Sequence, residues 1–141
     1  MLFYNILTNE HKKEECLISL QPNNFKLEPT TVWSFRDRGS WATHSGKYRG
    51  NWSPYVPRNL ILRYSNPGEW VLDQFMGSGT TLVEAKLLGR NAVGVDINPQ
   101  SVSISETNLQ FQCETNSKIV KDVFSCDSTT MPNYIKLSVQ I

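Results

Sequence analysis

The chain has 141 residues, 14 Lys and Arg against 13 Asp and Glu, and 39% hydrophobic residues, the size and balance of one ordinary globular domain. No apolar run reaches the roughly 18 residues that span a bilayer, and the apolar opening, residues 1–7, is short, broken by Asn5 and preceded by no positive charge. It fails as a secretory signal, so a cytoplasmic address without membrane attachment is expected. Cys16, Cys113 and Cys126 include no CxxC pair, which predicts reduced thiols rather than a disulfide framework, and no metal site.

Residues 1–30 are polar, with a charged run over 10–15 and helix-opposing Pro22, Asn23, Asn24 and Pro29. They predict a loosely ordered lead-in to a domain over residues 31–141. Residues 31–64 carry six Lys and Arg against one acid, a basic stretch in a nearly neutral chain. Within it, Trp33, Phe35, Trp41, Tyr48, Trp52 and Tyr55 alternate with Arg36, Arg38, Lys47 and Arg49, and Gly39, Gly46 and Gly50 break the pattern. This loop-rich segment either packs as core and pocket wall or meets DNA through phosphate contacts and base stacking, with those four cations as the contacts. His11 and His44 have no partnering pattern and read as surface residues.

From Pro57 the pattern becomes regular. Pro57 suits a first helical position, and Leu60, Ile61 and Tyr64 recur at helical spacing until Asn66, Pro67 and Gly68. Trp70, Val71 and Leu72 predict a short buried strand that stops at Asp73, before the glycine-rich Phe75-Met76-Gly77-Ser78-Gly79-Thr80-Thr81. Leu82, Val83, Ala85, Leu87 and Leu88 predict a helix closed by Gly89. Ala92 to Val95 predict a second buried strand ending at Asp96, followed by a helix over about 99–109 and a third strand over 119–124. Strand, helix, strand, helix, strand predicts a parallel α/β sheet with right-handed crossovers. Ile135, Leu137, Val139 and Ile141 then alternate with polar residues, as in a half-exposed strand.

A strand that ends in an acid and turns through Gly77 and Gly79 into a helix aims backbone N–H groups at a ligand beside the carboxyl edge of the sheet. Asp96, 19 residues after Gly77, is placed to accept from both hydroxyls of a ribose. A Walker loop is excluded, because Thr80-Thr81 is followed by no Lys until Lys86. A dinucleotide site wants a small residue where Leu82 stands, which argues against NAD. S-adenosylmethionine fits: Asp73 and the glycine backbone at its amino-acid end, Asp96 on the ribose, Asp127 and Ser128 beside the adenine.

Asp73-Gln74-Phe75-Met76-Gly77-Ser78-Gly79-Thr80-Thr81 resembles the first motif of the DNA methyltransferases that modify exocyclic amino groups of cytosine or adenine, written DPF-x-GSGTT, with Gln74 in place of Pro. Pro57-Arg58-Asn59-Leu60 through Leu72 resembles the helix and turn that precede it in that family, and Gly89-Arg90-Asn91-Ala92-Val93-Gly94-Val95-Asp96-Ile97-Asn98-Pro99 resembles its second motif. The match covers about residues 50–110. The resemblance implies a Rossmann-like S-adenosylmethionine-dependent methyltransferase fold, here with an incomplete parallel sheet, DNA as substrate, a place in restriction-modification, and no metal in the chemistry. It implies Trp52, Asp73, Phe75, Gly77, Ser78, Gly79, Thr80, Asp96, Ile97 and Asp127 as cofactor-binding residues. Asn51-Trp52-Ser53-Pro54-Tyr55-Val56 departs from the family's commoner HPTEK lead-in.

The family's catalytic (Asp/Asn/Ser)-Pro-Pro-aromatic loop is missing, since the chain contains no Pro-Pro. Ser53-Pro54-Tyr55 and Met131-Pro132-Asn133-Tyr134 are partial matches. Neither Cys16, Cys113 nor Cys126 follows a Pro, so the Pro-Cys nucleophile of carbon-5 cytosine methyltransferases is also unsupported. The catalytic residue stays unassigned, and the expectation is an enzyme truncated before its catalytic loop. The alternatives are a non-catalytic cofactor-binding subunit completed by a second chain and, disfavoured by Leu82, an NAD-dependent oxidoreductase fragment.

Overall fold

The computed structural model describes residues 19–115 and the backbone of 123–125. Its elements are α1 (Tyr55–Tyr64), β1 (Trp70–Asp73), α2 (Thr80–Leu87), β2 (Asn91–Asp96), α3 (Pro99–Asn108) and β3 (Val123–Ser125). The strands form a parallel sheet in the order β1-β2-β3, with Leu72 opposite Val93 and Val95 opposite Phe124. The expected α/β alternation and parallel pairing are therefore present. The proposed third strand is met at its end by β3, and the alternating residues 135–141 lie outside the described residues, as do residues 1–18.

Helix α1 starts two residues before the expected Pro57, with Pro54 as its N-cap. Pro57 fits the first turn because no intrahelical N–H is donated there. The helix ends where the Ser65 backbone N–H and hydroxyl both donate to the Ile61 carbonyl, at 3.1 and 2.7 Å. Its buried side is not the apolar one that spacing predicted. Pro57, Arg58, Asn59 and Ile61 are buried, while Leu60 and Tyr64 face solvent. Asn59 explains part of this: its Oδ1 accepts from the Glu28 N–H at 2.7 Å and its Nδ2 donates to the Tyr55 carbonyl at 2.8 Å, so the incoming chain is fastened to the helix.

Helix α2 is buried on nearly every side, as a helix between a sheet and two other helices must be. Gly79, at φ +80°, caps its start, and Gly89, at φ +74°, follows its end. Strand β2 is the buried centre of the sheet. The packing at Gly94 is close, since a Cβ would stand 2.5 Å from Met76 Sδ and 2.8 Å from a Leu82 methyl and both side chains would have to shift. Strand β1 corrects a second expectation: Trp70 and Leu72, on one face of the strand, are 39% and 44% exposed. Strand β1 also lies at the sheet edge among the described residues, and the face that carries Trp70 and Leu72 borders an open groove. Helix α3 opens as expected, with Asn98 Oδ1 accepting from the Gln100 N–H at 3.0 Å and Pro99 in the first turn.

Glu84 of α2 is fully buried and is the polar centre of the domain. Its Oε1 accepts from Trp41 Nε1 at 2.6 Å and stands 2.7 Å from His44 Nε2, and its Oε2 accepts from Arg58 Nη1 at 2.9 Å. His44, expected at the surface, has a side chain only 1% exposed. The partners lie 26 to 43 residues from Glu84, so no local spacing pattern announces them.

Candidate functional site

The turn after β1 is held by backbone bonds and by two carboxylates. Asp73 Oδ1 accepts from the Phe75 N–H at 3.0 Å, the Met76 N–H donates to the Val95 carbonyl at 3.1 Å, and the Gly79 N–H donates to the Met76 carbonyl at 2.8 Å. Gly77 and Gly79 both adopt positive φ. A Cβ on Gly79 would stand 2.3 Å from Ser105 Oγ, and one on Gly77 3.1 Å from the Tyr48 ring. Glycine is therefore needed at both positions, for conformation and for close approach of α3 and the Tyr48 ring.

Asp96, at the end of β2, ties this turn to the next. Its Oδ2 accepts from the Gly77 N–H at 3.0 Å and its Oδ1 from the Asn98 N–H at 2.9 Å. Each carboxylate oxygen keeps a second lone pair, so Asp96 can still accept from a ligand.

A cavity of about 350 Å³ opens beside the turn, within the size range of small-molecule sites. Tyr48, Asn51 and Trp52 border it on one side, and Asp73, Phe75, Gly77, Ser78 and Asp96 border it from the strand ends and the turn. Of the expected cofactor residues, the fold thus brings together Trp52, Asp73, Phe75, Gly77, Ser78 and Asp96. Gly79 and Thr80 are buried behind the turn, where the Thr80 hydroxyl donates to Asn51 Oδ1 at 2.5 Å. Ile97 is exposed beside Asp96 without bordering the cavity, and Asp127 lies outside the described residues. Sequence reasoning missed Tyr48 and Asn51. The Tyr48 hydroxyl hydrogen-bonds Ser101 Oγ at 2.6 Å, and the aromatic character of the segment was the one available signal.

The cavity has two carboxylates and no Lys or Arg on its border, and the Gly77 N–H is already engaged by Asp96. A pyrophosphate would meet like charge and one fewer free N–H group here. A cationic ligand with ribose hydroxyls meets complementary charge and acceptors. The residues therefore fit S-adenosylmethionine better than a dinucleotide.

Among the four DNA-contact candidates, Arg36, Lys47 and Arg49 are exposed. Arg38 departs from that expectation, because its guanidinium donates to the carbonyls of Ser45, Asn51 and Trp52. Ser53-Pro54-Tyr55, one of the partial catalytic matches, is the start of α1, and the Tyr55 ring stacks on Phe35 with centroids 4.9 Å apart. Burial, with the nearby Asp37 carboxylate, raises the Tyr55 hydroxyl above its ordinary pKa, against a smaller opposing pull from Arg58. The other match, at 131–134, lies outside the described residues. Among the described residues no group of three His, Cys, Asp or Glu could hold a metal ion.

Fold and site together define a parallel α/β domain with a glycine-rich turn and an acid-bordered cleft at the carboxyl ends of its strands. A family profile described as DNA methylase matches residues 3–107, and the chain belongs to that family. It is 37% identical over 79 residues to the Type II methyltransferase M.MjaII of Methanocaldococcus jannaschii, covering 55% of this chain and 15% of that protein. It is 38% identical over 76 residues to M2.DpnII of Streptococcus pneumoniae (54% and 27%) and 55% identical over 51 residues to M1.MboII of Moraxella bovis (33% and 20%). The matched part of the chain thus spans about a quarter or less of the length of these relatives.

Proposed function

We propose that this chain is the cofactor-binding half, residues 31–141 after a lead-in, of a Rossmann-like S-adenosylmethionine-dependent DNA methyltransferase acting on the exocyclic amino group of cytosine or adenine. The observation that carries this reading is the cavity bordered by Asp73 and Asp96 with no cation. Bound S-adenosylmethionine supplies a methyl group activated by its sulfonium. Asp73 would hold the ammonium of its amino-acid end where Gly77 lets the turn come close, Asp96 its ribose hydroxyls, and Trp52 and Phe75 would cover it from solvent. Ile97 and Asp127 complete the proposed set at the adenine. Positioning of cofactor and target in line then does most of the work.

The loop that would accept hydrogen bonds from the target amino group is supplied from outside the described residues, by further polypeptide or by a second chain. A groove of about 590 Å³ runs beside the open face of β1, bordered by Leu60, Trp70 and Leu72, and it shares Trp52, Asp73 and Phe75 with the cofactor cavity. We assign it to the remainder of the methyltransferase, whose catalytic loop would then stand next to the cofactor. That the matched relatives are several times longer than the shared region supports this occupant. Arg36, Lys47 and Arg49 are the proposed DNA-phosphate contacts. Among the described residues no helix is long and apolar enough to cross a membrane.

Ultraviolet cross-linking of methyl-labelled S-adenosylmethionine to the full chain tests the reading. Labelling competed by S-adenosylhomocysteine and not by NAD is expected. Labelling competed only by NAD would support the oxidoreductase alternative instead.

A further inference from the structure

We infer that Arg38 is a positioning residue that holds one wall of the cofactor cavity in place, an inference that rests on the reading above. Residues 45–52 form no helix or strand of their own. Their carbonyls converge on one guanidinium: Arg38 Nη1 donates to Asn51 O at 3.1 Å and Trp52 O at 2.7 Å, and Nη2 donates to Ser45 O at 3.1 Å. The Ser45 carbonyl also accepts from Asn51 Nδ2 at 3.0 Å, and Ser53 Oγ donates to the Arg38 carbonyl at 2.7 Å. The segment is thus closed into a ring around the cation. The Arg38 Nε is shut off from solvent, so the side chain faces inward.

From that ring come the side chains that border the cavity. Tyr48 lies against Gly77 and bonds Ser101, Asn51 accepts from the Thr80 hydroxyl, and Trp52 is 48% exposed beside Asp73 and Phe75. Gly50, at φ +81° with nothing within 4 Å of a Cβ, makes the left-handed turn between Tyr48 and Asn51. A planar fork can serve three carbonyls at once, whereas a lysine ammonium on a flexible stem cannot match that geometry. Exposed Lys26 offers an internal control, since it lies outside this ring.

The test compares the full chain with Arg38→Ala, Arg38→Lys and Lys26→Ala by amide hydrogen exchange without ligand and by calorimetric titration with S-adenosylmethionine. Arg38→Ala is expected to speed exchange over residues 45–53 selectively. It should also weaken S-adenosylmethionine binding about tenfold or more, the cost of reordering two or more large side chains on binding. Arg38→Lys should fall between, and Lys26→Ala should change neither. Unchanged exchange over 45–53 in Arg38→Ala overturns the inference even where the parent binds the cofactor. Exchange that rises equally in α2 and β2 overturns it too, by making the role one of general stability. Unchanged cofactor affinity beside weakened retention on DNA overturns it in favour of a phosphate contact. A parent chain that binds no S-adenosylmethionine overturns the functional reading, and this inference with it, whatever the exchange shows.

Discussion

The Gly77 N–H donates to Asp96 Oδ2 at 3.0 Å, so the carboxylate at the end of β2 holds the turn that follows β1. The same carboxylate accepts from the Asn98 N–H and thereby sets the start of α3. One side chain thus fixes two adjacent turns and retains lone pairs for a ligand.

Asp96→Ala is therefore expected to lower both stability and affinity. Two backbone N–H groups lose their acceptor, which costs about 1–3 kcal/mol of folding free energy. If Asp96 holds the ribose as proposed, S-adenosylmethionine binding should weaken by a further factor of about ten or more. Chemical denaturation and calorimetry separate the two effects. An unaltered Kd in a folded variant would remove Asp96 from the site.

Gly79→Ala forces a Cβ to within 2.3 Å of Ser105 Oγ at φ +80°. The left-handed conformation alone costs about 1–2 kcal/mol, and the clash adds to it. Ser105→Ala in the same chain removes the clashing oxygen and should recover part of the loss while leaving the conformational part. Urea unfolding of the two single variants and the double variant measures the coupling; strict additivity would contradict the close approach of turn and α3.

Glu84→Gln leaves Arg58 buried without its counter-charge and weakens the acceptor for Trp41 and His44. Breaking one partner of a buried ion pair costs about 3–5 kcal/mol, a large share of the 5–15 kcal/mol typical of a domain. A large fall in thermal midpoint by circular dichroism is expected. A shift within experimental error would mean that the cluster contributes little.

Glu69 is held below the ordinary carboxylate range, first by the Asn66 backbone N–H and then by the Asn66 side chain. A depressed folded-state pKa contributes stability that is present above the unfolded value and lost as pH falls through the folded one. Because the group is exposed, the contribution is small. A carboxyl-carbon NMR titration should place Glu69 below a free glutamate, and Asn66→Ala, which keeps the backbone N–H, should return it only part of the way.

The strand and helix order was readable because each signal is local. Asp73, the two glycines and Asp96 sit at fixed steps along the chain, and Asn98-Pro99 announces its own helix start. The polar side of α1 was not readable, because Arg58 and Asn59 are buried by partners at Glu84 and Glu28 that no periodicity encodes. Trp70 and Leu72 looked like a buried run for a related reason: composition describes a side chain, while its cover depends on which element lies opposite. Arg38 resembled its basic neighbours in composition, and only the return of the Ser45, Asn51 and Trp52 carbonyls shows its inward direction.

The central claim is that the acid-bordered cavity takes S-adenosylmethionine, and calorimetric titration of the purified full chain, with NAD as the control, tests it most directly. Saturable binding of S-adenosylmethionine alone is the predicted result. Binding of NAD alone, or of neither ligand by a folded sample, would contradict it.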